Sequence, residues 1–124
     1  MNKNLKVIGL ENTPALSAYL NDKLSYLEKL FKDEDEVLAE VELAKTTNHH
    51  KAGDFFRSEI NVSYDGKVFR RVEEEADLYA AIDMMKDGVE EDIKDYQKKK
   101  NRLLRRGGRA IKNLLRGFGR RRRA

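Results

Sequence analysis

Apolar positions follow two rhythms along the chain, one of period two and one close to 3.6, and their order predicts the elements. Residues 3–10 (Lys-Asn-Leu-Lys-Val-Ile-Gly-Leu) read as a short strand with β-branched Val7 and Ile8 in it. Thr13-Pro14 then marks a helix start, because Thr caps the free N–H groups and Pro at the first helical position gives up no needed donor. Leu16, Leu20, Leu24, Leu27 and Phe31 follow at spacings of a helical stripe, with Lys23, Lys29 and Lys32 off it. Asp33-Glu34-Asp35-Glu36 ends this element as a solvated turn. Val37, Ala39, Val41 and Leu43 alternate with Leu38, Glu40, Glu42 and Ala44, the signature of a half-buried strand. Residues 45–54 carry polar and turn-forming types and read as a loop. The alternation resumes with Phe56, Ser58, Ile60, Val62 and Tyr64 on one side and Phe55, Arg57, Glu59, Asn61 and Ser63 on the other. Asp65-Gly66 joins this strand to Lys67–Glu74 as a two-residue type I′ hairpin, since that turn demands positive φ. Asp77 caps a second helix whose stripe is Leu78, Ile82, Met85, Val89, Ile93 and Tyr96, running on toward Leu104 and stopping at Gly107-Gly108. Gly88 interrupts this helix at about 1 kcal/mol relative to Ala, which asks for a packing or functional reason. The order β-α-β-β-β-α predicts an α+β sandwich with both helices on one face of a four-stranded sheet.

Charge changes this picture more than composition does. The chain has 124 residues, 40% hydrophobic and 39% charged, and a formal net charge of +4. Residues 1–97 hold 13 Lys+Arg and 22 Asp+Glu, a net of −9, whereas residues 98–124 hold 13 Lys+Arg and no acid. An acidic body of residues 1–100 is therefore followed by an Arg-rich tail, 101–124, expected to be disordered when free. Such asymmetry points to a polyanionic partner. The tail's Arg residues suit phosphate contacts and base stacking, which favours nucleic acid. Ile111, Leu114, Leu115 and Phe118 beside them give a membrane-surface reading some content, and a solubilising tail is the plain alternative.

Little in the sequence suggests bond chemistry. With no cysteine there is no disulfide, thiolate zinc site or thiol nucleophile. His49-His50 is the only histidine pair, and adjacent residues rarely converge on one metal, so no metal or other cofactor is expected. The groups Glu73-Glu74-Glu75 and Glu90-Glu91-Asp92 read as solvated surface rather than acid/base pairs. No phosphate-cradling glycine loop, zincin pattern or catalytic triad order is present. No apolar run is long enough for a signal segment or a membrane span, so a cytoplasmic, non-enzymatic protein is expected.

At Asp77-Leu78-Tyr79-Ala80-Ala81-Ile82-Asp83 the chain resembles the bacterial short-form ribosome hibernation-promoting factor and ribosome-associated translation inhibitor family, whose second helix opens in this way. Thr13-Pro14-Ala15-Leu16, Lys23-Leu24, Leu27-Glu28-Lys29-Leu30-Phe31 and Gly66-Lys67-Val68-Phe69-Arg70 match in the same order across residues 3–100. The resemblance implies a β-α-β-β-β-α fold similar to double-stranded-RNA-binding domains. It also implies binding in the decoding groove of the small ribosomal subunit, where messenger and tRNA would lie, so that translation is inhibited by steric competition. The family's second, dimerising domain is not expected here, so ribosome pairing by that route is not either. The resemblance further implies contacts to small-subunit rRNA, without membrane or DNA partners, and a monomer off the ribosome.

Two departures qualify that expectation. Basic family positions on the second helix correspond here to Gly88, Glu91 and Asp95, leaving Lys86, Lys94 and Lys98, Lys99 and Lys100 nearby. On the first helix Lys23 and Lys29 do match; Tyr79 and Ile82 match too and read as structural. The tail, with Arg102, Arg105, Arg106, Arg109, Lys112, Arg116, Arg120, Arg121, Arg122 and Arg123, is expected to supply the phosphate contacts that the second helix lacks. The competing readings are a general RNA-binding or RNA-chaperone module and a protein that binds a membrane or an acidic partner.

Overall fold

The structure, a computed structural model, describes residues 1–47 and 53–107. The elements run β1 (Asn2–Ile8), α1 (Pro14–Glu28), β2 (Val37–Thr47), β3 (Asp54–Tyr64), β4 (Lys67–Glu75) and α2 (Leu78–Arg106). The sheet order is β1-β2-β3-β4, with β1 parallel to β2 and the other pairs antiparallel. The α+β sandwich read from the sequence is therefore the observed architecture.

Register explains why both helices share one face. Leu5, Val41, Ile60 and Arg71 align across the four strands, as do Lys3, Ala39, Val62 and Phe69. In the inner strands β2 and β3 these rows supply buried positions, as Phe69 does on the edge strand β4, and period-two alternation sends Glu40, Glu42, Glu59, Asn61 and Arg70 to the bare face. Leu16, Leu20, Leu24 and Leu27 of α1 and Ile82, Met85, Val89, Ile93 and Tyr96 of α2 close the core over that apolar sheet face. On the bare face Arg57 pairs with Glu42 at 3.6 Å and with Glu59 at 3.4 Å, and Arg70 also reaches Glu59.

The caps are as the sequence requires. Thr13 Oγ1 accepts from the Leu16 N–H at 3.2 Å, with Pro14 following, and Asp77 Oδ1 accepts from the Tyr79 N–H at 3.1 Å. Asp65 and Gly66 both take positive φ, 54° and 75°, between the paired Tyr64 and Lys67, which is what a type I′ turn needs.

Two expectations are corrected. Helix α1 ends at Glu28, so Phe31 is not on its stripe. The chain tightens into two i→i−3 turns, Leu30 N–H to Leu27 O and Phe31 N–H to Glu28 O, and Phe31 enters the core edge from there, 4.7 Å from the Tyr64 ring. Gln97 fixes this turn by donating to Leu30 O at 2.8 Å. The expected loop at 45–54 is shorter, because Lys45, Thr46 and Thr47 continue β2 opposite Phe56, Phe55 and Asp54. Thr46 Oγ1 there bonds both Phe55 O and Glu74 Oε1, and β-branched Thr suits a strand. Helix α2 runs past Leu104 to Arg106 and stops at Gly107, where the sequence placed its end.

Gly88 has a packing reason. A Cβ there would stand 3.1 Å from both Cδ and Nε of Arg71. The bare glycine lets the Arg71 side chain cross the helix and form a two-pronged pair with Asp92, at 2.7 and 2.8 Å. Asp92 is held below the usual carboxylate range by the Arg71 guanidinium. Small residues serve the same closeness at Ser58 and Ala81, both fully buried, where Ser58 Oγ donates to Ala81 O at 2.7 Å.

Candidate nucleic-acid interface

The outward surfaces of α1 and α2 meet in a seam of tyrosines, lysines and carboxylates. On α1 the helical spacing four, three places Tyr19, Lys23 and Tyr26 in one row. On α2 the spacing four, three, four, four places Tyr79, Asp83, Lys86, Glu90 and Lys94 in another. Tyr19 and Tyr79 cross edge to face, with centroids 4.8 Å apart. The Tyr19 hydroxyl donates to Asp83 Oδ1 at 2.6 Å, and Lys23 Nζ lies 3.4 Å from the same oxygen and 5.2 Å from the Tyr19 ring. Further along, Lys29 and Lys86 both stand over the exposed ring of Tyr26, at 5.0 and 4.9 Å. Lys86 also pairs with one oxygen of Glu90, while Lys94 takes the other at 2.7 Å.

Electrostatics follow from these contacts. The Asp83 hydrogen bond raises the Tyr19 phenol and the Lys23 ammonium above their ordinary values. Burial penalises charged Lys86, but the hydrogen bonds and negative charges of Glu90 and Asp87 together outweigh this and raise it. Glu90 mirrors it: burial pushes the carboxyl up, and Lys86 and Lys94 together hold it below the ordinary range. Lys23 and Lys86 are therefore firmly cationic, and Lys23, Lys86 and Lys94 already face a carboxylate.

Of the residues expected from the sequence to contact RNA, the structure brings Lys23, Lys29, Lys86 and Lys94 into this seam. Lys98 continues it, lining a shallow groove with Lys86, Glu90, Glu91 and Lys94. Lys99 lies around the helix, in a groove with Lys67, Phe69 and Arg70 beside β4. Lys100 turns to the hairpin and pairs with Asp65 Oδ2 at 2.6 Å, an oxygen that also accepts from the Tyr96 hydroxyl. Arg102, Arg105 and Arg106 are exposed on the last turns of α2, where cations complement the helix dipole. Arg109, Lys112, Arg116 and Arg120 to Arg123 lie outside the described residues, as do His49 and His50.

Sequence reasoning missed Tyr26 and the pairing roles of Asp83 and Glu90. The i,i+4 series Lys86, Glu90, Lys94 was a usable signal for Glu90, whereas Lys23 and Asp83 are 60 positions apart and gave none. Glu90 and Asp92, expected to be solvated, are instead bound to cations.

A family model described as Sigma 54 modulation protein / S30EA ribosomal protein matches residues 4–101. The chain belongs to this family. Among S30EA-family relatives, the Ribosome hibernation promotion factor of Lactococcus lactis subsp. cremoris is 31% identical over 101 residues, covering 80% of this chain and 51% of that protein. The Staphylococcus aureus protein of the same name is 27% identical over 96 residues, covering 77% and 48%. The chain thus spans about half the length of these curated relatives. The crystal structure of the Thermus thermophilus Protein Y N-terminal domain superposes with a TM-score of 0.64 and 36% identity, covering 77% of this chain and 99% of that one. A ribosomal subunit interface protein from Coxiella burnetii, 19% identical with a TM-score of 0.58, shares the fold over 79% of this chain and 99% of its own. No helix among the described residues of this S30EA-family chain is long and apolar enough to cross a membrane.

Proposed function

We propose that this chain is a ribosome-binding hibernation factor that inhibits translation by occupying the messenger and tRNA groove of the small subunit. Membership of the S30EA family, with relatives named Ribosome hibernation promotion factor, is the observation that carries this reading. The helix seam supports it physically: Lys29 and Lys86 stand over the exposed ring of Tyr26, with Lys23 over half-buried Tyr19 and Lys94 alongside, a combination that serves RNA phosphates and unstacked bases. Lys98, Arg102, Arg105 and Arg106 extend the cationic surface along α2, and the Arg-rich segment beyond anchors on neighbouring rRNA. The action is binding and exclusion, with no bond made or broken, in the cytoplasm where ribosomes are.

Co-sedimentation of the full chain with small subunits tests this. Stoichiometric, saturable binding that messenger and tRNA compete away is the expected result. A second reading, a general RNA-binding module, draws on the carboxylates that already occupy three seam lysines. It requires salt-sensitive binding to many RNAs without saturation of one site, and that outcome would replace the first reading.

A further inference from the structure

We propose that Asp83 and Glu90 are selectivity residues, carboxylates that hold the seam lysines in place of phosphate so that only an RNA engaging several lysines together displaces them. This rests on the RNA-binding reading above and adds to it a reason for acids at the centre of an RNA-facing surface.

The geometry makes Glu90 a bridge. Its two oxygens are both used, one by Lys86 and one by Lys94, and it is largely covered, with a side chain 18% exposed beside Lys86 at 13%. Asp83 is held by the Tyr19 hydroxyl and faces Lys23. Lys29 stands over Tyr26 and makes no ion pair among the described residues. A single phosphate arriving at Lys86 gains one charge contact and loses another of the same kind, so the exchange returns little. It also releases few counterions, because the lysine's charge is already compensated by protein. An RNA that reaches Lys86 and Lys94 together frees Glu90 in one event and adds the contacts of Lys29, Tyr26 and the α2 extension. Generic single strands are therefore disfavoured relative to a folded surface that fits the whole seam, a form of selection by penalising the wrong ligand.

The test uses the full chain and three variants of equal charge change: Glu90→Gln, Asp83→Asn and Glu91→Gln. Glu91 is exposed beside Glu90 in the same groove and makes no ion pair among the described residues, so its variant removes the same charge from the same place without freeing a paired lysine. Gln and Asn keep size and an acceptor oxygen, including the one Tyr19 needs, and far-ultraviolet circular dichroism confirms folding. Binding of a fluorescent oligouridylate is measured across salt, and binding to small subunits by co-sedimentation. Glu90→Gln is expected to steepen the log affinity against log salt slope by about 1.4, from Lys94 and Lys86 at about 0.7 each, Lys86 keeping only its 3.4 Å contact to the exposed Asp87. Between 50 and 200 mM salt that is about a sevenfold greater loss of oligonucleotide affinity than wild type shows. Asp83→Asn is expected to steepen the slope by about 0.7, and Glu91→Gln to leave it unchanged. Small-subunit binding is expected to change no more in Glu90→Gln than in Glu91→Gln. Equal behaviour of Glu90→Gln and Glu91→Gln on the oligonucleotide overturns the proposal, as does an equal gain of Glu90→Gln on both ligands. If wild type ignores small subunits while the oligonucleotide series behaves as described, the ribosomal reading falls and the masking stands.

Discussion

Replacing Gly88 by Ala sets two effects of similar size against each other on one helix turn. In the interior of α2 the substitution is worth about 1 kcal/mol in helix propensity. The new Cβ, however, would lie 3.1 Å from Arg71 Cδ and Nε, too close for the side chain to stay where it is. Arg71 is pinned at its far end by both oxygens of Asp92, so it yields only by loosening that pair. The two side chains are 39% and 35% exposed, which places the pair near the upper end of surface ion pairs, about 1 kcal/mol at most. Gly88→Ala alone is therefore expected to shift stability by less than about 0.5 kcal/mol. In an Arg71→Ala background the clash is gone and the same substitution is expected to stabilise by about 1 kcal/mol. Urea unfolding of the four proteins in a double-mutant cycle reads the difference as a coupling of about 1 kcal/mol between positions 71 and 88. A gain of about 1 kcal/mol from Gly88→Ala in both backgrounds would refute the idea that Arg71 is what demands the glycine.

Other consequences are open to measurement. Ile82→Ala empties a fully buried position beneath the seam and is expected to cost about 2–5 kcal/mol in urea unfolding; a loss under 1 would contradict the core assigned here. Asp65 is drawn upward by burial but held below the ordinary carboxylate range by Lys100 and Tyr96. Its stabilisation is therefore present above the unfolded value of about 4 and lost as pH falls through the lower folded value. Asp65→Asn keeps the positive-φ turn, so it is expected to destabilise by about 1 kcal/mol at neutral pH, with the gap to wild type closing only in acid. A gap that persists to pH 2 would show that the charge is not the cause. Deleting residues 101–124 is expected to flatten the salt slope for RNA by about 4, for roughly six contacts at about 0.7 each; an unchanged slope would remove the tail from the binding surface.

What the sequence made legible, it did through periodicity and turn chemistry. The leucine stripe of α1, the alternation of β2 and β3, the Asp65-Gly66 turn and the Thr13 and Asp77 caps are all local signals, and each lies where it was read. Phe31 misled because its spacing continues the stripe, while the chain there has already tightened under the hold of Gln97 on Leu30, 67 positions away. Lys45, Thr46 and Thr47 looked like loop because their strand character comes from the partners opposite. Alternation placed Ser58 on the buried side of β3, whereas Ala81 lies outside the spacing of the α2 stripe and was not read as core. At the site, sequence supplied the lysines but not their state. Only the packing of α1 against α2 shows that Lys23 faces Asp83.

The unbroken course of α2 has one more consequence. Its 29 residues make a rod about 43 Å long, the first two thirds clamped by the core and the remainder running on from Tyr96 to Arg106. Arg102, Arg105 and Arg106 are thus held at angles set by the buried stripe, at about 100° per residue. One residue inserted after Asn101 would keep every charge yet turn the arginines by about 100° and advance them about 1.5 Å. Their phase about the axis, and not only their number, is a property the core dictates.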